Sequence, residues 1–485
     1  MCIISFVTTK LSMDKALPYI ILFFLASCAN HTETKNSVYF AGEIVNPITD
    51  YVVLFKDETV VDSAKIDANN RFSFSLNNIE EGLHHFRHEP ELQYVYLENG
   101  DSLVIRLNTL AFDESLVFSG SNEEVNNFLL EMFLNYEDED QLVYSYYELS
   151  PEEFSKKIDS LRLQKIEELN ELRTSKDISA TAFKMAEASV NYNSYTYKEK
   201  YPFIHKKRLG EKTILQLDPS FYDYREGLVI NNKELTYFRP YYNYVNNRFG
   251  NISYMACAQN CGVEELMSSK DYLHLNKHKM KLIDSLVKED RLRNNLFRNV
   301  VMDYLLRVHE ATNECDDFIT SFSELSDNEE HVNEINHLYK GIKSLQPKQA
   351  IPEVIVQNTA GKDISLKTIS KNKKTFFYFW TGNQKRHFRN VTRHIKKLQN
   401  THPQYNYVGI NLRTSEEKWL SMITDHSIDK KNQYRSEDFE NIQESLIINT
   451  LNKSIITNDT VIVDAFENVF NKTPLIEKQK TLTSR

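Results

Sequence analysis

Thiols and imidazoles are the most reactive groups in this chain, and their spacing limits what they can do. Cys257 and Cys261 stand four apart, so on a helix they share one face. Such a pair could exchange with a disulfide or contribute to a metal site. Exchange needs a thiolate that attacks sulfur through a mixed disulfide. Zinc needs further ligands at suitable spacing, which C-x-x-x-C alone does not bring. The pair is therefore expected to be structural, with no metal and no cofactor assigned. A disulfide along a single helix is geometrically awkward, and a bridge from Cys315 to either thiol is left open. His84, His85 and His88 form a second cluster, with Glu89 and Glu91 as the nearest acidic residues, and are read as part of a half-exposed strand or loop. His387 has the right pKa range for a general base. Its own loop offers neither a Ser or Cys nucleophile nor an orienting carboxylate, so it is expected to be an exposed basic residue on a first helical turn. No Gly-rich phosphate loop, H-E-x-x-H or G-x-S-x-G occurs.

The element that must position His387 is Thr375–Leu398, TFFYFWTGNQKRHFRNVTRHIKKL. Phe376 to Trp380 is an aromatic run too short for a membrane span and apolar enough for a buried strand. Thr381, Gly382 and Asn383 make a loop. Phe388, Val391, Ile395 and Leu398 then recur at spacings of three and four, one face of an amphipathic helix. A strand-to-helix loop of this kind is a favoured place for chemistry, and this one holds no obvious nucleophile. Cations surround it: Lys371, Lys373 and Lys374 before the strand, and Lys385, Arg386, Arg389, Arg393, Lys396 and Lys397 along the helix. Lys385, Arg386, Arg389 and Arg393 define a basic face that could meet an anionic partner or lipid headgroups, with a solvated surface as the simpler reading.

Gln346–Pro352 reads as a linker, since two prolines interrupt the helices. Beyond it, strands predicted at Val354–Gln357, Ile364–Leu366, Tyr405–Asn411 and Val461–Asp464 alternate with helices, which implies an α/β sheet. This order, with Phe379-Trp380 and Ile462-Val463-Asp464, resembles the thioredoxin-like domain of the TlpA/ResA type over roughly residues 347–477. That family reads Phe-Trp-Ala-x-Trp-Cys-x-x-Cys at the turn. The resemblance puts Gln384 at the attacking cysteine's position and His387 at the resolving cysteine's position. It puts Asn458 near the family's cis-proline, counted back from Asp464. All three catalytic positions are degenerate, so the domain is expected to be redox-inactive.

The N-terminus has Lys15, the apolar run Tyr19–Leu25, and Ala26-Ser27-Cys28, the layout of an export signal. Leu25-Ala26-Ser27-Cys28 resembles the lipobox of bacterial lipoproteins, which implies removal of residues 1–27 and lipidation of Cys28. Met13 begins a more ordinary signal than Met1. From Val38 to Phe118 the punctuation is strand and turn: Val38–Ile44, Tyr51–Phe55, Thr59–Lys65, Arg71–Leu76, Leu92–Leu97 and Ser102–Leu107. Phrases such as Tyr94-Val95-Tyr96-Leu97-Glu98-Asn99-Gly100-Asp101 resemble the small β-domain that precedes thioredoxin-like domains in lipoproteins of Bacteroidetes-type bacteria. From Ser121 to Gln346 the periodicity is helical, with helices predicted near 150–169, Thr181–Tyr192, His274–Lys288, Arg291–Glu310 and Val332–Leu345. Residues 192–254 are dense in Tyr and Asn. They suit helix packing first, and a carbohydrate or peptide surface second.

The 485 residues carry 41% hydrophobic and 26% charged side chains, a globular balance with 27 Tyr and 28 Phe. A formal charge of −10 disfavours general nucleic-acid affinity. The expectation is a multidomain chain: signal peptide 1–27, tether 28–36, β-sandwich 37–119, helical middle region 120–345 and α/β thioredoxin-like domain 346–485. The implied protein is tethered by an N-terminal lipid in the bacterial envelope, with the outer membrane suggested by Ala29 after Cys28. It would bind a protein, peptide or glycan, its partner being an envelope protein or a glycan. The rival readings are a thiol–disulfide oxidoreductase using Cys257 and Cys261, and a glycan-binding accessory lipoprotein.

Overall fold

Alternating burial builds the first part of the chain. In Ser102–Asn108 the side chains of Leu103, Ile105 and Leu107 point inward while Ser102, Val104 and Arg106 face water. The computed structural model describes residues 36–261 and 268–471; the signal segment, Met1, Met13, Cys28 and Pro474 lie outside them. Its contacts divide the chain into two units: Met1–Leu209 with Leu217–Tyr224 and Tyr237–Tyr244, and Gly210–Gln216 with Arg225–Thr236 and Val245–Arg485.

The first unit opens with eight strands: β1 Ser37–Val45, β2 Tyr51–Lys56, β3 Thr59–Lys65, β4 Arg71–Asn77, β5 Gly82–His88, β6 Glu91–Leu97, β7 Ser102–Asn108 and β8 Val117–Gly120. They form two four-stranded sheets, ordered β4-β1-β7-β8 and β3-β2-β5-β6. Phe40, Leu54, Phe74, Phe86 and Ile105 from both sheets share one core. The Asn-rich turn before β4 closes on Asp67, whose carboxylate accepts from the Asn69 and Arg71 amides while Asn70 takes a positive φ of 62°. Helices follow: α1 Phe112–Ser115, α2 Glu123–Asp138, α3 Asp140–Tyr146, α4 Pro151–Ser175 and α5 Ala180–Leu209. Ser150 caps α4 by accepting from the Glu153 amide, with Pro151 at the first helical position.

The tyrosine-rich stretch is largely core. Tyr147, Phe154, Tyr197 and Tyr201 pack in one cluster, and Tyr192 meets Tyr241 and Tyr244 with ring centroids 5.0 and 5.3 Å apart. Tyr192, Tyr197, Tyr201, Tyr241, Tyr244 and Tyr254 are buried, which counts against their serving as a glycan surface.

In the second unit α6 Arg239–Asn260, counted there from Val245, is followed by α7 Ser269–Leu286, α8 Asp290–Val308, α9 Asn313–Leu325 and α10 Glu329–Ser344. The rest is a covered sheet: β9 Ile355–Asn358, β10 Asp363–Ser365, α11 Leu366–Ser370, β11 Lys374–Trp380, α12 Lys385–Thr401, β12 Asn406–Asn411, α13 Glu416–Asp425, β13 Gln433–Arg435, α14 Phe439–Leu446, β14 Lys453–Asn458 and β15 Val461–Asn468. The order is β10-β9-β13-β12-β11-β14-β15. Thus β11 is central, parallel to β12 and antiparallel to β14. Every side chain from Thr375 to Trp380 is buried, as an apolar run flanked by strands and helices requires.

Candidate functional site

The site is the turn between β11 and α12, and sequence dictates its rigidity. Trp380 ends β11 fully buried, its indole N–H donating to Gln433 Oε1 at 3.2 Å. Gln433 Nε2 donates in turn to the Tyr378 hydroxyl at 2.9 Å. This buried polar pair runs over Gly409, where an added Cβ would stand 2.3 Å from Gln433 Oε1 and 2.7 Å from the Tyr378 oxygen. The turn is tied to the segment after β12: the Gly382 amide donates to Thr414 Oγ1 at 2.8 Å, and Asn383 Nδ2 donates to the Arg413 carbonyl at 3.2 Å. Lys418 Nζ donates to Asn383 Oδ1 at 3.2 Å.

From this turn α12 runs with Phe388, Val391, Ile395 and Leu398 buried, while Lys385, Arg386, Arg389 and Arg393 are all exposed. Phe388 packs against Trp380, ring centroids 4.6 Å apart. None of those four cations pairs with an acidic side chain among the described residues. Gln384 occupies the cap position without a side-chain cap bond, and no acidic residue lies in the first turn. The first amides of α12 and its basic face therefore both favour negative charge.

Facing the turn is a groove of about 510 Å³, lined by Thr381, Asn383, Gln384 and His387 on one side. Leu412, Arg413, Phe439, Gln443 and the Ile448–Asn452 loop form the other. No cysteine lines it. Exposed Arg413 lies over the Phe439 ring at 3.8 Å.

His387 departs from its expected exposure. It is half-buried, edge-on to Phe470 with ring centroids 6.0 Å apart. Burial lowers its pKa, opposed by the Asn452 side chain and the Leu451 backbone. Neither ring nitrogen has a hydrogen bond of good geometry among the described residues. Among those residues, no Ser or Cys nucleophile and no carboxylate lines the groove beside His387.

Asn458 does not face the turn. It pairs with Lys374, at the start of β11, whereas Tyr378 pairs with Ser454. Antiparallel register therefore brings Leu451 and Asn452, just before β14, to the Trp380 end. Counting from Asp464 misplaced the position because β15 follows β14 through a tight hairpin, so Asn458 sits at the hairpin end. The described X-Pro cis bond, Glu89–Pro90, lies elsewhere.

The three described cysteines are free. Cys257 is buried near the end of α6, and burial with Cys261 beside it pushes its thiol up to about 11. At neutral pH that leaves little thiolate for attack. The Cys261 amide donates to the Cys257 carbonyl at 2.9 Å, so the pair does share a helical turn, with Cys261 exposed. Cys315 is buried on α9, 3.1 Å from the Tyr304 hydroxyl. His84 and His88 are buried on β5, an interior strand, and not in a half-exposed segment. His84 Nδ1 lies 3.0 Å from the Gly82 carbonyl, and His88 Nε2 accepts from the Ile48 amide at 2.9 Å. Backbone partners thus occupy these rings.

Sequence reading missed Arg413, Gln443 and the 448–452 loop. The apolar spacing of Phe439, Ile442 and Leu446 was a usable signal for α14, and Arg413 lies two residues past a predicted strand.

No family model matches the chain, and no curated protein matches it. Among solved structures it is similar to the thioredoxin domain of a thiol-disulfide oxidoreductase from Bacteroides vulgatus, at 22% identity over 26% of this chain and 89% of that one, TM-score 0.23. It is also similar to a thiol-disulfide oxidoreductase from Bacteroides fragilis, at 19% identity over 28% of this chain and 99% of that one, TM-score 0.23. A thiol:disulfide interchange protein from a Bacteroides species matches at 22% identity over 25% of this chain and 81% of that one, TM-score 0.23. These three solved structures, one of them a thioredoxin domain, each match about a quarter of this chain.

Proposed function

We propose that this chain is a lipid-anchored envelope protein whose C-terminal α/β region keeps a thioredoxin-type frame and uses the groove at its turn to bind a peptide segment of an envelope partner. The observation that carries the reading is a groove of about 510 Å³ at the end of the central strand with no thiol in its lining. Thiol–disulfide exchange has no alternative to sulfur: neither the Gln384 amide nor the His387 imidazole can form a mixed disulfide and release it. What remains is a cleft lined by exposed Arg413, beside a helix start that carries Lys385 and Arg386 and has no side-chain cap. Lys385, Arg386 and Arg413 would meet carboxylates of an acidic segment, with the α12 amides adding to the attraction. The anchor would be acylated Cys28, two or more acyl chains giving stable attachment where one is marginal. Ala29 after Cys28 favours outer-membrane attachment facing the periplasm.

The test uses the full chain. Insulin reduction with dithiothreitol should proceed at the uncatalysed rate. A fluorescent acidic peptide should bind with an affinity that falls with salt, and Arg413→Glu should weaken it about tenfold, roughly 1.4 kcal/mol. Turnover that disappears with Cys257→Ser would establish the oxidoreductase reading instead. Peptide binding indifferent to Arg413→Glu would remove the groove from the account.

A further inference from the structure

We propose that Cys257, Cys261, His274 and His278 form a Cys2His2 zinc site joining the end of α6 to the second and third turns of α7. The two thiol sulfurs and one ring nitrogen of His274 already lie within 4.8 Å of one another. In a tetrahedral site with Zn–S near 2.3 Å and Zn–N near 2.0–2.1 Å, neighbouring ligand atoms are about 3.5–3.8 Å apart. Side-chain movements of about 1 Å therefore bring these three onto one ion. No other trio of His, Cys, Asp or Glu converges in this way among the described residues.

The fourth vertex falls to His278. It lies one helical turn after His274 on the same face of α7. Its Nδ1 is buried and has no hydrogen-bond partner among the described residues, an unusual state for a polar ring atom. A metal bond to this ring would end that isolation. The sequence carries the same set as C-x3-C-x12-H-x3-H, within the spacing at which Cys and His pairs hold zinc. The expectation that C-x-x-x-C has no further ligands at zinc-like spacing overlooked the two histidines, because they lie on the next helix. The surroundings are helical, so the inference concerns the ligand set and not a nucleic-acid-binding finger.

The chemistry balances without an oxidant. Each thiol gives its proton to solvent, two S–Zn and two N–Zn bonds form, and no electron is transferred. Two thiolates neutralise the dication, which suits a site with Cys257 buried and with Cys261 and His274 exposed. The free state of both thiols is compatible with ligation.

The test is titration of the reduced, chelator-treated full chain with Co²⁺, then displacement by Zn²⁺. One ion per chain is expected, with a thiolate-to-cobalt charge-transfer band and tetrahedral visible bands. Cys257→Ser and Cys261→Ser should each weaken the band and the affinity at least tenfold, as should His274→Ala and His278→Ala. Cys315→Ser should change nothing. Where a variant fails to fold, zinc-edge X-ray absorption of the unaltered holoprotein decides, and two sulfur and two nitrogen neighbours are expected. Absence of a charge-transfer band, its persistence in Cys257→Ser, or full affinity in His278→Ala would overturn the assignment.

Discussion

Lys453 opens β14 with only 4% of its surface exposed. Its Nζ donates to the Leu446 carbonyl and, at 3.0 Å, to the Ile447 carbonyl, and sits 4.2 Å from the Phe466 ring. It therefore pins the end of α14, from which the groove-lining loop Ile448–Asn452 departs. Burial pulls its pKa from 10.5 down to about 7, with Asp464 acting in the opposite direction. The unfolded chain then holds the extra proton between pH 7 and 10.5, so stability should rise with pH across that window, and the full penalty applies below it. At about 1.36 kcal/mol per unit, the interval amounts to a ceiling of about 5 kcal/mol. Lys453→Met removes the titration and leaves two carbonyls without a donor, a pH-independent cost of about 1–3 kcal/mol each. The slope is thus diagnostic where the offset is not. Nearby His309, lowered to about 4 by burial and by Lys453, titrates below this window. Urea unfolding followed by fluorescence of Trp380 and Trp419, the chain's two tryptophans and both fully buried, reports on this region. The stability difference between the two proteins should shift toward the unaltered chain by up to about 1.4 kcal/mol per pH unit above neutrality. Parallel stability–pH curves would refute a buried, titrating amine.

Acid should loosen the N-terminal strands. His84 is buried and its pKa is lowered to about 4, chiefly by burial, so protons bind preferentially to the unfolded chain as pH falls below 6.5. Up to about 3 kcal/mol should be lost by pH 4, and His84→Gln should flatten that loss in circular-dichroism melts. Gly409→Ala should cost about 1–3 kcal/mol, since its methyl would collide with the Gln433 and Tyr378 side chains, and urea midpoints would show it. Phe388→Ala should cost about 3–5 kcal/mol in the same assay, because it empties the contact between α12 and Trp380.

Elements whose burial follows a simple period were legible in advance. Thr59–Lys65 was predicted with its observed bounds, and the α12 stripe of Phe388, Val391, Ile395 and Leu398 is buried as its spacing required. Elements stabilised mainly from outside were not. β14 begins with a lysine that is buried only because helix-end carbonyls and an aromatic ring receive it, and nothing in Lys453–Asn458 announces that environment. β5 holds three histidines in seven residues, which reads as polar until Gly82 of the same strand and Ile48 of the loop before β2 supply backbone partners. α5 runs past its predicted end at Tyr192 to Leu209 because tyrosines there are core residues, so a polarity scale misjudges their burial. The positions of Gln384 and His387 follow from the strand-to-helix turn. What faces them depends on strand register, a long-range property that linear counting from Asp464 missed.

That register changes what the turn can be. On the proposed reading, the residues opposite an exchange centre are Leu451 and Asn452, in a loop anchored at one end by Lys453 and lying against His387. The turn itself is held by the Thr414 hydroxyl, which accepts from the Gly382 amide, by the Asn383 side chain, which donates to the Arg413 carbonyl, and by the Lys418 ammonium, which donates to Asn383. A disulfide-exchange turn must let one sulfur leave and another approach. Here Thr414 and Asn383 are already engaged in holding backbone, and the exposed groups nearby include Lys385, Arg386, Arg413 and the first amides of α12. Fixed donors around an open cleft suit a ligand that arrives with its own negative charge and leaves unchanged. Cysteines at positions 384 and 387 would therefore supply sulfur while leaving the hydrogen-bonded turn and the Leu451–Asn452 loop as they are, and Gln384→Cys/His387→Cys should form a disulfide yet leave insulin reduction near the uncatalysed rate. A double variant that turned over insulin would show that sulfur alone was missing.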